Sequence, residues 1–161
     1  MGNLRTSGNR IFIGNVSSGF NIHLKQTRRL IGGILRKLKL RKIWISFVFV
    51  SDSAIKRLNR RYLKHSWATD VIAFPFSSGH SRQRKRNSVF FLGEIIISPK
   101  RAKLYAKKLG VPFSEELARY ICHGILHLLG HSDKTAQGKK KMRRTEDQLI
   151  KPLAAQVKGI V

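Results

Sequence analysis

The spacing of apolar and polar residues along the chain predicts a mixture of strands and helices. Runs rich in β-branched and aromatic residues predict strands at about 11–13, 20–24, 43–50, 70–76 and 89–98. Apolar residues at helical spacing, with capping residues beside them, predict helices at about 26–40, 54–64, 99–109, 114–129 and 136–150. The last two strands could pair as a long hairpin. Because strands and helices are interspersed without a regular βαβ repeat, the pattern favours an α+β fold.

The helix predicted at 114–129 carries the strongest chemical pattern of the chain. His123 and His127 stand four residues apart, so both imidazoles project from one helix face. Gly130 can end the helix in a left-handed turn, after which Asp133 can approach the two histidines. Two imidazoles and a carboxylate, with positions left open to water, form the ligand set of a catalytic divalent-metal site. We therefore predict a metal site at the end of a long helix, with these three residues as ligands.

Other interpretations of this segment stay open at this point. His131 would be the third ligand if the helix ran on through Gly130. The two histidines could also be ordinary residues at the edge of an apolar core. Cys122 stands alone in the chain, and we expect a buried thiol there instead of a ligand or a nucleophile.

The residue after the first histidine bears on the reaction type. Peptidases with the His-Glu-x-x-His pattern use that glutamate as general base, and here the position is Gly124. A zincin-type metallopeptidase is therefore the weaker hypothesis. Asp70 or Glu94 could supply a base only if the fold brings one of them close to the histidines.

The charge balance points to a polyanionic partner. The chain has 33 Lys and Arg against 8 Asp and Glu, for a formal net charge of +25. Such a field attracts nucleic acid, although it would also attract an anionic membrane surface without specific recognition. The Gly/Ser-rich segment 77–88 is the expected phosphate-facing loop, and Arg84 and Arg86 are its RNA-binding candidates. With no apolar stretch long enough to cross a bilayer and no secretion signal, we expect a cytoplasmic protein without a membrane partner.

Three blocks of the sequence resemble the YbeY family of metal-dependent endoribonucleases. They are Leu58-Asn-Arg-Arg-Tyr62 with Thr69-Asp-Val-Ile-Ala-Phe-Pro75, then Leu92-Gly-Glu-Ile-Ile-Ile-Ser98, then His123 to Asp133. Met142 and Glu146 fall where the final helix of the family has similar residues. The blocks occur in the order of the family and span roughly residues 43–150.

The resemblance implies a zincin-like fold, in which a small mixed sheet packs with helices, and one zinc ion per chain. It implies one hydrolase domain over residues 1–161, in which we expect 1–10 to be a loose basic tail. It also implies a single-strand-specific endoribonuclease that matures ribosomal RNA, including the 3′ end of 16S RNA, and serves ribosome quality control. RNA and the small ribosomal subunit would then be the partners. The alternative is a non-enzymatic RNA-binding assembly factor with a structural metal.

The sequence departs from the family pattern at two positions. The usual third histidine of the family aligns with Asp133, whose carboxylate can replace an imidazole as a metal ligand. The arginine that follows the tyrosine in the family aligns with Leu63. A substitute positive charge would come from a neighbour, and Arg61 and Lys64 are the catalytic candidates beside Arg60.

Two residues of the block Leu58–Tyr62 are further RNA-binding candidates. Tyr62 could stack on an unpaired base, and Asn59 could contact RNA. Helix packing with a hydrogen bond to a neighbouring loop is the alternative for both. Trp44 and Trp67 are expected to be core and loop anchors.

Overall fold

The computed structural model describes residues 8–63, 69–76 and 89–161. These residues contain one mixed sheet. Its strands are β1 (Arg10–Asn15), β2 (Ile43–Phe49), β3 (Val71–Pro75) and β4 (Phe90–Ile97). They lie in the order β1–β2–β4–β3, with β1 and β4 parallel to β2. β3 is an edge strand and pairs antiparallel with β4, which confirms the predicted hairpin.

Helices connect and cover the strands. In chain order they are α1 (Leu24–Lys37), α2 (Asp52–Leu58), α3 (Pro99–Leu109), α4 (Phe113–Leu128), α5 (Ala136–Ile150) and α6 (Ala154–Lys158). A π-helix, Asn59–Leu63, extends α2, and a 3-10 turn, Lys151–Leu153, precedes α6. Among the described residues, no helix has both the length and the apolar character needed to span a bilayer.

The main core lies between the sheet and the helices α1 and α4. Alternate residues of the strands point inward, and Ile45, Phe47 and Ile95 are completely buried there. A Cβ atom on Gly124 would lie 2.6 Å from Ile95 Cγ2, so α4 approaches β4 as closely as a glycine allows. This contact fixes the helix that carries both histidines directly on the sheet.

The described residues cover the opposite face of the sheet only in part. Ile55 of α2 packs there against Ile72 and Ile96 in a second, small apolar cluster. Trp44 lies on the uncovered part and is 46% exposed. The prediction that Trp44 is a core anchor is therefore wrong, because its position on β2 alternates with the inward-pointing Ile43 and Ile45.

Two further predictions differ from the structure. Residues 20–24 do not form a strand: Phe20 packs on Phe113, Ile22 is buried without a ladder partner, and α1 begins at Leu24. The predicted tail also ends earlier than residue 10, because Asn9 is buried and its side chain bonds the backbone of Leu40 and Ile43. Residues 1–7 lie outside the described residues, as do Lys64, Trp67, Arg84 and Arg86.

Candidate metal centre

Three side chains converge at the C-terminal end of α4. The Nε2 atoms of His123 and His127 lie 2.8 Å apart. Asp133 Oδ2 lies 3.6 Å from the first of these nitrogens, and Oδ1 lies 3.7 Å from the second. One ligand atom from each residue lies within 4.8 Å of the others. The fold therefore assembles the three residues that the spacing predicted, and this cluster could hold a metal ion.

The turn after α4 brings Asp133 to the histidines. Gly130 adopts φ +88°, a left-handed conformation that ends the helix, and the His131 amide donates to the Leu126 carbonyl. The helix therefore does not continue through Gly130, which was the condition for His131 to be the third ligand. The backbone carbonyl of His131 instead accepts a hydrogen bond from His127 Nδ1 at 3.0 Å.

The hydrogen-bond partners of the rings define which nitrogens face the cluster. Nδ1 of His127 faces a carbonyl, and Nδ1 of His123 lies 2.8 Å from the carboxylate of Glu146, so both Nδ1 atoms donate. Each neutral ring then presents an Nε2 lone pair to the other. Burial and the neighbouring His123 lower the pKa of His127, which favours its neutral form. Two lone pairs and a carboxylate that share one small space fit a divalent cation.

A buried ion-pair network supports His123 from behind. Glu146 lies on α5 and is 4% exposed, and its Oε2 accepts from Arg119 Nη1 at 3.2 Å. The same nitrogen of Arg119 lies 2.9 Å from Asp147 Oδ1. A carboxylate behind a ligating histidine fixes the ring orientation and makes the ring a stronger ligand.

The sequence reasoning assigned no role to Glu146 or Arg119. Glu146 lies 23 residues after His123, and no local spacing connects the two. One signal was available: Glu146 shares a helix face with the buried Met142 and Leu149, and a carboxylate on an apolar face requires a partner.

A cavity of about 500 Å³ opens beside the cluster, between β3, α4 and α5. Its wall includes Asp70 and Tyr120 near the histidines, and Lys139 and Arg143 on the α5 side. Burial raises the pKa of Asp70, although the Tyr120 hydroxyl opposes this shift. Glu94, the other acid considered as a base, lies on the opposite face of the sheet and accepts from Ser46 Oγ at 3.1 Å.

The weaker sequence candidates lie on the π-helix at Asn59–Leu63. Asn59 is 1% exposed, which favours the packing alternative over the predicted contact with RNA. Tyr62 is 56% exposed and meets Phe74 edge-on at 5.5 Å. Arg61 is exposed and its Cζ lies 5.6 Å from the Tyr62 ring centroid, away from the residues that line the cavity. Its catalytic role remains a prediction, as do the roles of the candidates outside the described residues.

Comparison with known proteins identifies the family. A family model described as endoribonuclease YbeY matches residues 13–154. The chain belongs to the YbeY family. The YbeY endoribonuclease of Persephonella marina is 36% identical over 133 residues, which cover 80% of this chain and 84% of that protein. That of Syntrophus aciditrophicus is 35% identical and covers 87% of each chain.

Two further matches define how far the likeness extends. The YbeY endoribonuclease of Myxococcus xanthus is 40% identical over 72% of this chain, but the match spans only 38% of that longer protein. The solution structure of TM1509 from Thermotoga maritima superposes with a TM-score of 0.57 at 23% identity, covering 90% of this chain and 92% of that one. The mixed sheet packed with helices is thus the fold of the YbeY family, and the predicted zincin-like α+β class is confirmed.

Proposed function

We propose that this YbeY-family protein is a hydrolytic endoribonuclease that processes ribosomal RNA, with one zinc ion held by His123, His127 and Asp133. The convergence of these three acceptors beside an open cavity is the observation that carries the proposal. Two imidazoles and one carboxylate leave positions open for water and substrate, as catalytic zinc sites require.

The bound ion would acidify a water molecule and polarise a phosphate oxygen. The other tasks fall to residues of this chain. Glu146 and the His131 carbonyl hold the two rings so that both Nε2 atoms face the cluster. Asp70 lines the same cavity as His123 and Asp133, and we assign it as the acceptor of a proton from the attacking water. Lys139 and Arg143 line the same cavity and would bind the phosphates on either side of the scissile bond.

The substrate part of the proposal draws on charge and on the relatives. A formal net charge of +25 suits a protein that binds a long polyanion. The relatives are named endoribonucleases, and we extend that activity to single-stranded segments at the 3′ end of 16S ribosomal RNA. The small ribosomal subunit is the proposed partner, and the cytoplasm is the proposed location.

A peptidase is disfavoured by the packing of α4. The position that carries the general base in His-Glu-x-x-His peptidases is Gly124, which lies against Ile95 and has no room for a side chain. A carboxylate at this position would have to displace β4.

The test compares two histidine substitutions. His127→Ala should lose zinc, measured by elemental analysis, and should lose cleavage of a single-stranded RNA that spans the 16S 3′ end. His23→Ala is the matched control, because His23 is exposed at the start of α1, away from the cluster. A folded His127→Ala variant that cleaves at the wild-type rate would refute the proposal. Wild-type protein that binds zinc and RNA without cleaving would support the assembly-factor alternative.

A further inference from the structure

The outer face of the sheet carries a group of exposed aromatic side chains, which we call the aromatic face: Phe12, Trp44, Phe76 and Phe91. Three of them are largely open to solvent, at 56% for Phe12, 46% for Trp44 and 51% for Phe76. Contiguous apolar surface of this kind on a folded domain marks an interaction site more often than an accident of composition.

Three of these rings, those of Trp44, Phe91 and Phe76, contact one another in a row and form a platform. Trp44 on β2 contacts Phe91 on β4 with ring centroids 4.9 Å apart. Phe91 contacts Phe76, just beyond β3, at 5.2 Å. An irregularity in the pairing of β2 with β4 lets Phe91 face outward beside Trp44 while Leu92 points into the core. Trp44 and Phe91 are therefore presented by the sheet itself, and Phe76 extends the platform beyond the end of β3.

Positive charge borders the platform at both edges of the sheet. Arg10 on β1 is exposed and stands opposite Trp44 in register, so the two share a face. Beyond β3, the guanidinium of Arg61 lies 5.6 Å from the Tyr62 ring centroid, and Tyr62 contacts Phe74 of the same face. Glu94 is the one acid that we place on this face among the described residues, and Ser46 hydrogen-bonds it.

We propose that the aromatic face binds unpaired nucleotides of RNA by stacking their bases on Trp44 and its neighbours, while the flanking arginines bind phosphates. Exposed rings bordered by cations match a ligand with flat bases and an anionic backbone. A duplex hides its bases inside the helix, so the surface would select single strands. The choice of RNA as the ligand rests on the function proposed above.

The position of the aromatic face allows one RNA single strand to reach the metal cluster as well. α4 ends at Leu128, whose Cδ2 would lie 2.8 Å from a Cβ on Gly93. The C-terminal turn of α4 therefore packs beside Gly93, two residues from Phe91, on the side of the sheet opposite the aromatic face, and β3 forms the neighbouring edge of the sheet. An RNA single strand that passes over this edge of the sheet could contact both the aromatic face and the metal cluster.

The test measures RNA binding without cleavage. Every variant is made in a His127→Ala background, and the dissociation constants of a labelled short oligouridine and of an RNA duplex are measured by fluorescence anisotropy at one salt concentration. Trp44→Ala should weaken oligouridine binding about tenfold, the effect of losing one stacked base, and leave duplex binding unchanged. Trp44→Phe should restore most of the affinity. Leu104→Ala, at a 54% exposed site on α3, is the control for removing an exposed apolar side chain.

Each outcome decides the proposal independently of catalysis. Equal affinities for Trp44→Ala and Leu104→Ala would overturn it, and so would an equal loss for single strand and duplex. A wild-type dimer that Trp44→Ala converts to a monomer in sedimentation velocity would assign the face to self-association and overturn it as well. If Trp44→Ala weakens oligouridine binding tenfold while the protein with His127 intact, assayed separately, does not cleave RNA, the aromatic face is supported and the endoribonuclease is refuted.

Discussion

Replacing Glu146 with glutamine tests whether the buried network behind His123 prepares the metal site. The two side chains have nearly the same size, so the substitution removes a charge without opening a cavity. Oε1 of Glu146 lies 2.8 Å from His123 Nδ1, and Oε2 lies 3.2 Å from Arg119 Nη1. Glutamine has one acceptor oxygen, so one of these two contacts is lost or becomes a contact between donors.

The structure gives the expected magnitude. A hydrogen bond to a charged group contributes about 1.5–3 kcal/mol, and Arg119 retains its contact with Asp147 at 2.9 Å. The loss should therefore be below the ~3–5 kcal/mol of a fully broken buried pair. We expect the free energy of unfolding to fall by about 2 kcal/mol, and Tm by about 4–8 °C for a chain of this size. Zinc affinity should fall about 10- to 100-fold, because the carboxylate no longer orients His123.

Glu115→Gln is the matched control for this experiment. Glu115 Oε1 lies 3.8 Å from another nitrogen of Arg119, but its side chain is 43% exposed, and the carboxylates beside His123 are those of Glu146 and Asp133. Competition with a chromophoric zinc chelator gives the affinities, and circular dichroism gives Tm. The reasoning is refuted if the folded Glu146→Gln variant binds zinc as tightly as the Glu115→Gln variant.

Three further predictions follow from the packing and from the cavity. Gly124→Ala would place a Cβ 2.6 Å from Ile95 Cγ2, so we expect a loss of about 1–3 kcal/mol in the free energy of unfolding by urea titration; an unchanged midpoint would contradict the close packing of α4 on β4. Asp70→Asn should slow RNA cleavage while zinc content stays at the wild-type level, and unchanged cleavage would remove Asp70 from the mechanism. Burial raises the pKa of Cys122 to about 12, so its thiol should react with a disulfide reagent only after denaturation. Rapid labelling of the folded protein would contradict the burial of Cys122.

Local sequence signals predicted two helices to the residue. The helix at Pro99–Leu109 has proline in its first turn and ends at Gly110, which adopts φ +68°. The helix at Ala136–Ile150 starts after Thr135, whose hydroxyl accepts from the Gly138 amide. Both boundaries depend on residues next to the helix ends, and such signals can be recognised in the sequence alone.

The wrong predictions share a physical cause. At those residues the structure is decided by contacts with residues that are distant in the sequence. Phe20 and Ile22 have the composition of a strand, but Phe20 packs on Phe113 and none of the strands in the described part of the chain pairs with them. Trp44 is apolar, yet the register of the sheet turns it outward. For the site, the spacing of His123 and His127 indicated two ligands, whereas the carboxylate that supports His123 lies on α5, which only folding brings against α4.

The link between Glu146 and His123 also joins metal occupancy to the stability of the fold. None of the α5 residues belongs to the metal cluster of the described chain, yet α5 is held to one of its members. An ion that binds only the folded state adds about 4 kcal/mol to its stability at a free concentration a thousand times the dissociation constant. With the proposed zinc ion in this site, the free zinc concentration in the buffer or in the cell would set part of the resistance of this protein to unfolding, and a chelator would act on it as a mild denaturant.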